Sequence, residues 1–469
     1  MTAQTILPAN STSSGGFDVA NSVRLTGTND YFHKTPSSSG SRRLFTFSAW
    51  VKKADFSTGV LFSSGEADGN PNLALYFDSS GRINMYSTQG MQYITTRVFR
   101  DPSAWYHIVF VVDTANGTEN NRQQLYVNGV RETVFSTSNV IDQNTDLSIN
   151  TGDYRMAVGT GVDDDDYFGG YMAEVVFVDN QALASTSFGE FDSDSGIWKP
   201  KNVNVLTLGT NGFYLNFQDS SNLGNDVNGG TDLTEVNLAA TDQSIDTCTN
   251  NYCTMNPLDN FYSAATFTEG NLKISSARYA GVTSTFALTK GKWYFEFKCV
   301  SRASGSTSGF VGITSATATA TNYEFGNQSG ENVGYSLSLH SGGVYGNSST
   351  PAGAGTFTQI NGGDFGMVAA DFDNNKIYFG RNGTWGNSQN PVNGNNAITI
   401  VAVTQGATGH WRFYVGGETN NATVFEMNFG SPTYAISSTQ ADDDDHGNFE
   451  YDVPAGYFAL NTKNLAEYG

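Results

Sequence analysis

Short segments in which apolar residues recur at every second position, each cut off by turn residues, constrain this chain more than any other feature. In Trp293-Tyr294-Phe295-Glu296-Phe297-Lys298-Cys299, the residues Trp293, Phe295, Phe297 and Cys299 share one face. A period of two belongs to a β-strand and predicts one buried and one solvated face. Trp105 to Val112 is mostly apolar on both alternating sets, as in a strand covered on both sides. Leu73–Phe77 and Arg82–Tyr86 are joined through a Ser-Ser-Gly turn and read as a hairpin. Two strands end in Asn128-Gly129 and Asn382-Gly383, a turn signature that rests on positive φ at both positions. With 52 glycines, 13% aromatic residues and few helix-forming runs, the predicted fold class is all-β, with two antiparallel β-sandwich (jelly-roll) domains in tandem.

The charge balance removes several functions. Asp and Glu number 45 against 24 Lys and Arg, a net charge of -21. Phosphate binding needs a basic face, so no nucleic-acid partner is expected. No apolar run is long enough to span a bilayer, so no membrane insertion is expected. The segment 1–16 lacks a basic stretch followed by an apolar one and does not read as a secretory signal. Three cysteines are too few for a disulfide scaffold. Cys299 falls on a core face. The turn-like Thr-Asn-Asn-Tyr between Cys248 and Cys253 leaves a disulfide open, against the thiols favoured by synthesis in a reducing cytoplasm. The expected organisation is an N-terminal arm (1–20), a first domain (21–205), a connector (206–260), a second domain (261–435) and a C-terminal tail (436–469).

Four pieces of the first half resemble the laminin-G / concanavalin A-like lectin superfamily: Phe45–Lys52, Trp105–Phe110, Leu125–Gly129 and Gly170–Phe177. The second half is similar to SPRY domains in Gly291–Phe297, Phe310–Ile313, Gly363–Val368, Asp371–Phe379, Asn382-Gly383 and Val424–Gly430. Both resemblances imply β-sandwiches used for recognition. The linking phrases Gly189–Asp192, Trp198–Pro200 and Thr249–Asp259, with the ending Phe449–Leu465, are similar to virion proteins of tailed phages. That resemblance implies a tail fibre, tail spike or other virion appendage made in the host cytoplasm.

Candidate chemistry is sparse. Laminarinases of the concanavalin A-like fold carry Glu-x-Asp-x-Glu on one strand. The nearest match here, Glu190-Phe191-Asp192-Ser193-Asp194, ends in Asp and falls in a turn-rich stretch outside the expected strand. The five histidines sit apart, with no nucleophile elbow beside them. No catalytic residue is therefore assigned. Asp163, Asp164, Asp165 and Asp166 form the candidate metal site, with calcium as the implied cation. In a straight strand Asp163 and Asp165 would stand about 6.6 Å apart, so binding at ~2.3–2.6 Å requires a curl that Gly159, Gly161, Gly169 and Gly170 permit. A solvated acidic loop is the competing reading. Asp442-Asp443-Asp444-Asp445-His446 reads as an exposed linker. Trp50, Trp105, Trp293 and Trp411 lie at strands and read as core. Trp385 follows the Asn382-Gly383 turn in a loop without an evident burial partner, so it is the first candidate for stacking against a sugar. Tyr345 and Tyr323 are weaker candidates.

The expected function is attachment of a phage virion to the host surface through glycan or receptor binding, in a homo-oligomer such as a trimer, alongside other virion proteins. A structural decoration or docking protein and a polysaccharide depolymerase are the alternatives.

Overall fold

In a computed structural model the chain divides into two compact units, Pro8–Asn250 and Asn251–Gly469. The structure describes residues 16–66, 73–260, 265–276, 280–303, 309–315, 334–346, 350–406, 408–417 and 422–469. Each unit is built of antiparallel sheets that face each other across an apolar core, so both are β-sandwiches.

One sheet of the first unit runs in the order Val130–Arg131, Gln123–Val127, Trp105–Asp113, Leu44–Lys53, Gly169–Asp179, Ser22–Thr26 and Gln243–Ser244. The other centres on Ile83–Ser87, Leu73–Phe77, Gly59–Gly65 and Arg155–Val158. Phe47 of the first sheet stacks on Phe62 of the second at 4.7 Å, which marks the inner layer. The expected hairpin forms with Phe77 opposite Ile83. Trp105–Asp113 is covered on both sides, as its two apolar sets require.

The segment expected as a connector supplies strands to this sandwich. Phe213–Leu215 pairs with Gly169–Asp179, Thr234–Val236 with Tyr31–Lys34, and Gln243–Ser244 with Ser22–Thr26. Asp246 lies inside it: Lys52 Nζ is 2.7 Å from its carboxylate, both side chains are 1% exposed, and Trp105 Nε1 donates to the same group. A buried ion pair persists only when its remaining hydrogen-bonding capacity is also served, and the indole and Lys52 meet that need together.

The second unit packs a sheet centred on Ala280–Ser284, Arg412–Gly417 and Phe310–Thr314 against one centred on Thr423–Asn428, Lys292–Ser301, Phe365–Asp371 and Lys376–Arg381. Phe295 meets Phe413 across the core at 4.5 Å. Trp293, Phe295, Phe297 and Cys299 are all core residues. The opposite face of that strand is not solvated as alternation predicts: Tyr294 and Glu296 are also fully buried. The C-terminal residues cover it. Phe458–Ala459 runs parallel to Lys292–Ser301, and Phe449 stands edge-on to Tyr294 at 5.1 Å. A short helix, Thr462–Tyr468, closes the chain with Asn461 as its N-cap.

The acidic run read as an exposed linker is instead organised by its first member. Asp442 is buried, and its carboxylate accepts from the backbone N–H groups of Asp444, His446 and Ala459 and from the Asn464 amide. All three cysteines are buried free thiols, so Cys248 and Cys253 form no disulfide. Among the described residues no helix is long and apolar enough to cross a membrane.

Candidate ligand-binding site

Trp385 is placed by the turn that precedes it. Asn382 and Gly383 adopt φ of 46° and 78°, and the strand Thr384–Trp385 folds back so that Trp385 opposes Gly380. Glycine is needed twice at position 383, for its φ and because a Cβ there would lie 2.9 Å from the Tyr451 ring. Asp364 fixes the hairpin base: it accepts from Arg381 Nε and Nη2 at 2.9 and 3.0 Å, from Asn382 at 2.8 Å and from the Asn361 N–H at 2.7 Å. Burial pushes the Asp364 carboxyl up, but these donors hold it below its ordinary range.

The indole is half-buried and stands edge-on to Tyr294, with ring centres 6.3 Å apart. It forms part of the wall of two cavities, of about 680 and 410 Å³. Both volumes lie in the range of about 300–1,000 Å³ typical of small-molecule sites. After the tryptophan, Asn387 and Ser388 hold consecutive left-handed conformations, φ 51° and 53°. Neither is glycine, and such strain collects where a structure must present a loop.

The far wall of the larger cavity comes from the C-terminal segment: Glu450, Tyr451, Asp452 and Pro454. Glu296 holds that segment in place. Its carboxylate accepts from the N–H groups of Glu450 and Tyr451, both at 2.9 Å, and from the Tyr294 hydroxyl at 2.8 Å. Burial pushes the Glu296 carboxyl up to about 7 against the pull of these donors. The Glu450 carboxylate accepts from the N–H and hydroxyl of Ser437. Asp452 is exposed and makes no side-chain hydrogen bond to any described residue.

The other sequence candidates are not brought to this place. Tyr345 packs edge-on against Phe310 at 6.1 Å, half-buried, and lines neither cavity. Tyr323 lies outside the described residues. The Asp163–Asp166 run does curl, with Asp164 and Asp166 at φ 57° and 46°. What it uses to do so is mainly backbone: the N–H of Gly161 bonds Asp165 O, and that of Val60 bonds Asp166 O. Asp164 is paired with Arg155, whose guanidinium lies over the Tyr31 ring. Among the described residues no group of three or more His, Cys, Asp or Glu side chains is placed to hold a metal ion. Among the described residues, this run therefore shows no converging ligand set for the calcium weighed against a solvated acidic loop.

Glu190 lies on a short strand, Gly189–Phe191, contrary to the turn expected. It and Asp192 both face Lys199, whose Nζ is 3.8 Å from Glu190 and 3.0 Å from Asp192. Asp192 also accepts from Ser195 and Asp194 N–H groups, which hold it well below the carboxylate range. Lys199 stands between the two carboxylates, and Asp192, held low by its donors, is not the protonated acid that an acid–base pair needs.

Sequence reading missed one constellation. Ser48 Oγ lies 2.8 Å from His107 Nε2, and Trp198 Nε1 donates to His107 Nδ1 at 3.0 Å. An indole N–H can only donate, so Nδ1 is the acceptor and the ring proton sits on Nε2, directed at Ser48. An imidazole in that tautomer cannot take the serine proton. The ring is 1% exposed, stacks on Trp50 at 4.8 Å, and burial lowers its pKa to about 3. It is a core histidine, separated by 59 and 91 residues from its partners, and only the short polar side chain on an apolar strand hinted at it.

A laminin G family model, described as the concanavalin A-like lectin/glucanases superfamily, matches residues 26–186. No curated protein matches the chain. Among solved structures, the SPRY domain of human HERC1 is 15% identical over 37% of this chain and 96% of its own, with a TM-score of 0.28. Domain 4 of AbnA, a GH43 extracellular arabinanase from Geobacillus stearothermophilus in complex with arabinotriose, is 19% identical over 38% and 83%, with a TM-score of 0.27. A SAP-like pentraxin from Limulus polyphemus is 15% identical over 36% and 81%, with a TM-score of 0.25.

Proposed function

We propose, with the lectin-type domain at residues 26–186 as premise, that this protein binds glycans without cleaving them. We place the principal contact at Trp385 in the second unit. The observation that carries this reading is the indole standing in the wall of two adjoining cavities. Sugars present flat C–H faces that stack on such rings, while flanking carboxylates and amides satisfy their hydroxyls. The biological setting follows from the resemblance of the linking and terminal phrases to tailed-phage proteins: a virion appendage that holds the particle to a host-surface glycan. Affinity per site in an open groove is low, so a homo-oligomer, such as a trimer, supplies firm adsorption by multivalency. The pairing of Glu190 and Asp192 with Lys199 favours this over the depolymerase reading.

The test is binding of the purified full-length protein to host cells and to extracted host polysaccharide, with competition against virus for adsorption. Trp385→Ala should weaken glycan binding by about 2 kcal/mol, roughly thirtyfold in Kd. Unchanged binding in that variant removes Trp385 as the contact. Failure of the wild type to bind or compete, with particles weakened by its loss, favours a decoration protein instead.

A further inference from the structure

We infer that the larger cavity beside Trp385 selects a glycan that carries a positively charged amine, over neutral sugars and strongly over uronates or phosphorylated sugars. This rests on the glycan-binding reading of the same groove and narrows its ligand class. The cavity and the indole make the site; the charged groups around it set what enters. Its lining among the described residues includes two carboxylic acids, Glu450 and Asp452, and no Lys, Arg or His. The smaller cavity that shares the tryptophan has Arg381 in its lining, but that guanidinium is taken up in a two-point pairing with Asp364. Among the described residues, an anionic sugar therefore finds no free cation in the lining of either cavity.

An amine finds two complementary features. Asp452 is exposed and makes no side-chain hydrogen bond to any described residue, so its carboxylate is available at no cost to the fold. The faces of Trp385 and Tyr451 attract a cation held within about 6 Å of a ring centre. Glu450 is oriented by Ser437 and retains acceptor capacity beyond the two bonds it makes. At physiological salt the Debye length is about 8 Å. The net charge of -21 is therefore largely screened at distance, whereas carboxylates in contact with the ligand are not.

Three oligosaccharides of equal length separate the possibilities: a glucosamine oligomer with free amines, its N-acetylated counterpart, and a galacturonate oligomer. Binding to the full chain is measured by calorimetry at about pH 6, where amines are charged and ordinary carboxylates ionised, in physiological salt. We expect the amine-bearing oligomer to bind about fivefold tighter than the acetylated one, and the uronate most weakly. Asp452→Asn should bring the two affinities together, with the amine-bearing oligomer losing more than the acetylated one. Trp385→Ala should weaken both. Equal affinity for the first two, or tightest binding of the uronate, overturns the ligand class and leaves glycan binding intact. A preference that persists undiminished in Asp452→Asn also overturns it, because the attraction then comes from bulk charge. If no oligomer binds and Trp385→Ala changes nothing on host polysaccharide either, the broader glycan reading fails as well.

Discussion

Glu174 sits in the middle of Gly169–Asp179 in the first sandwich, and Glu296 in the middle of Lys292–Ser301 in the second. Each is buried, each accepts from a tyrosine hydroxyl, and burial pushes each carboxyl up to about 7. Their surroundings differ. Glu174 lies at a bulge, in the left-handed region at φ 49°, where its carboxylate accepts from Tyr214 at 2.6 Å. Glu296 lies on regular strand and serves three donors, two of them backbone N–H groups of the segment that walls the Trp385 groove. A shifted pKa therefore reports burial in both places, while the number and origin of the donors report the job. Glu174 fills a polar gap in a core; Glu296 anchors a segment.

The largest effect that tests this contrast is truncation. Glu296→Ala leaves two backbone donors buried without an acceptor and should cost the second unit about 3 kcal/mol. Glu174→Ala orphans one hydroxyl and should cost the first unit about half that. Urea unfolding followed by probes specific to each unit measures both, and equal costs would erase the distinction. A milder pair follows. Glu296→Gln turns one acceptor oxygen into a donor facing a backbone N–H and should cost about 2 kcal/mol. Glu174→Gln keeps an acceptor for Tyr214 and should stay within about 0.5 kcal/mol of wild type near pH 7.5.

Next in size is pH. Both carboxyls hold their protons up to about 7 in the folded protein, against about 4.3 in an unfolded chain. The stability they contribute is fully present below about 4.3 and is lost as pH rises through about 7. Glu174→Gln should flatten that decline in the first unit only, read as melting temperature between pH 5 and 8. The smallest effect concerns the buried imidazole. Trp198→Phe removes the donor to His107 Nδ1 and should cost about 1 kcal/mol. In wild type the His107 ring should show no titration by NMR between pH 5 and 8, because its pKa is about 3. A midpoint near 6 would show that water reaches it.

Local signals were the legible ones. Both Asn-Gly pairs form turns with positive φ at each position, and the strand tryptophans Trp50, Trp105, Trp293 and Trp411 are all core. The candidate site was legible only as Trp385 after its turn. Its partner wall, 450–455, lies some distance along the chain, and nothing in that wall's own composition points to a hairpin at 382. The run at 442–446 was misread for the same reason: Asp442 looks like a solvated carboxylate until the groups that surround it are known.

Alternation at period two, with turn residues between, was enough to determine that the chain forms strands, which faces are apolar and where the hairpins bend, because side-chain direction and turn geometry depend on neighbours in sequence. Tertiary structure alone decided which second face is covered and which polar groups meet. Lys52 finds Asp246 across 194 residues and Glu296 finds Tyr451 across 155. A strand's pattern states that a face must be buried, yet it does not carry the identity of the segment that buries it.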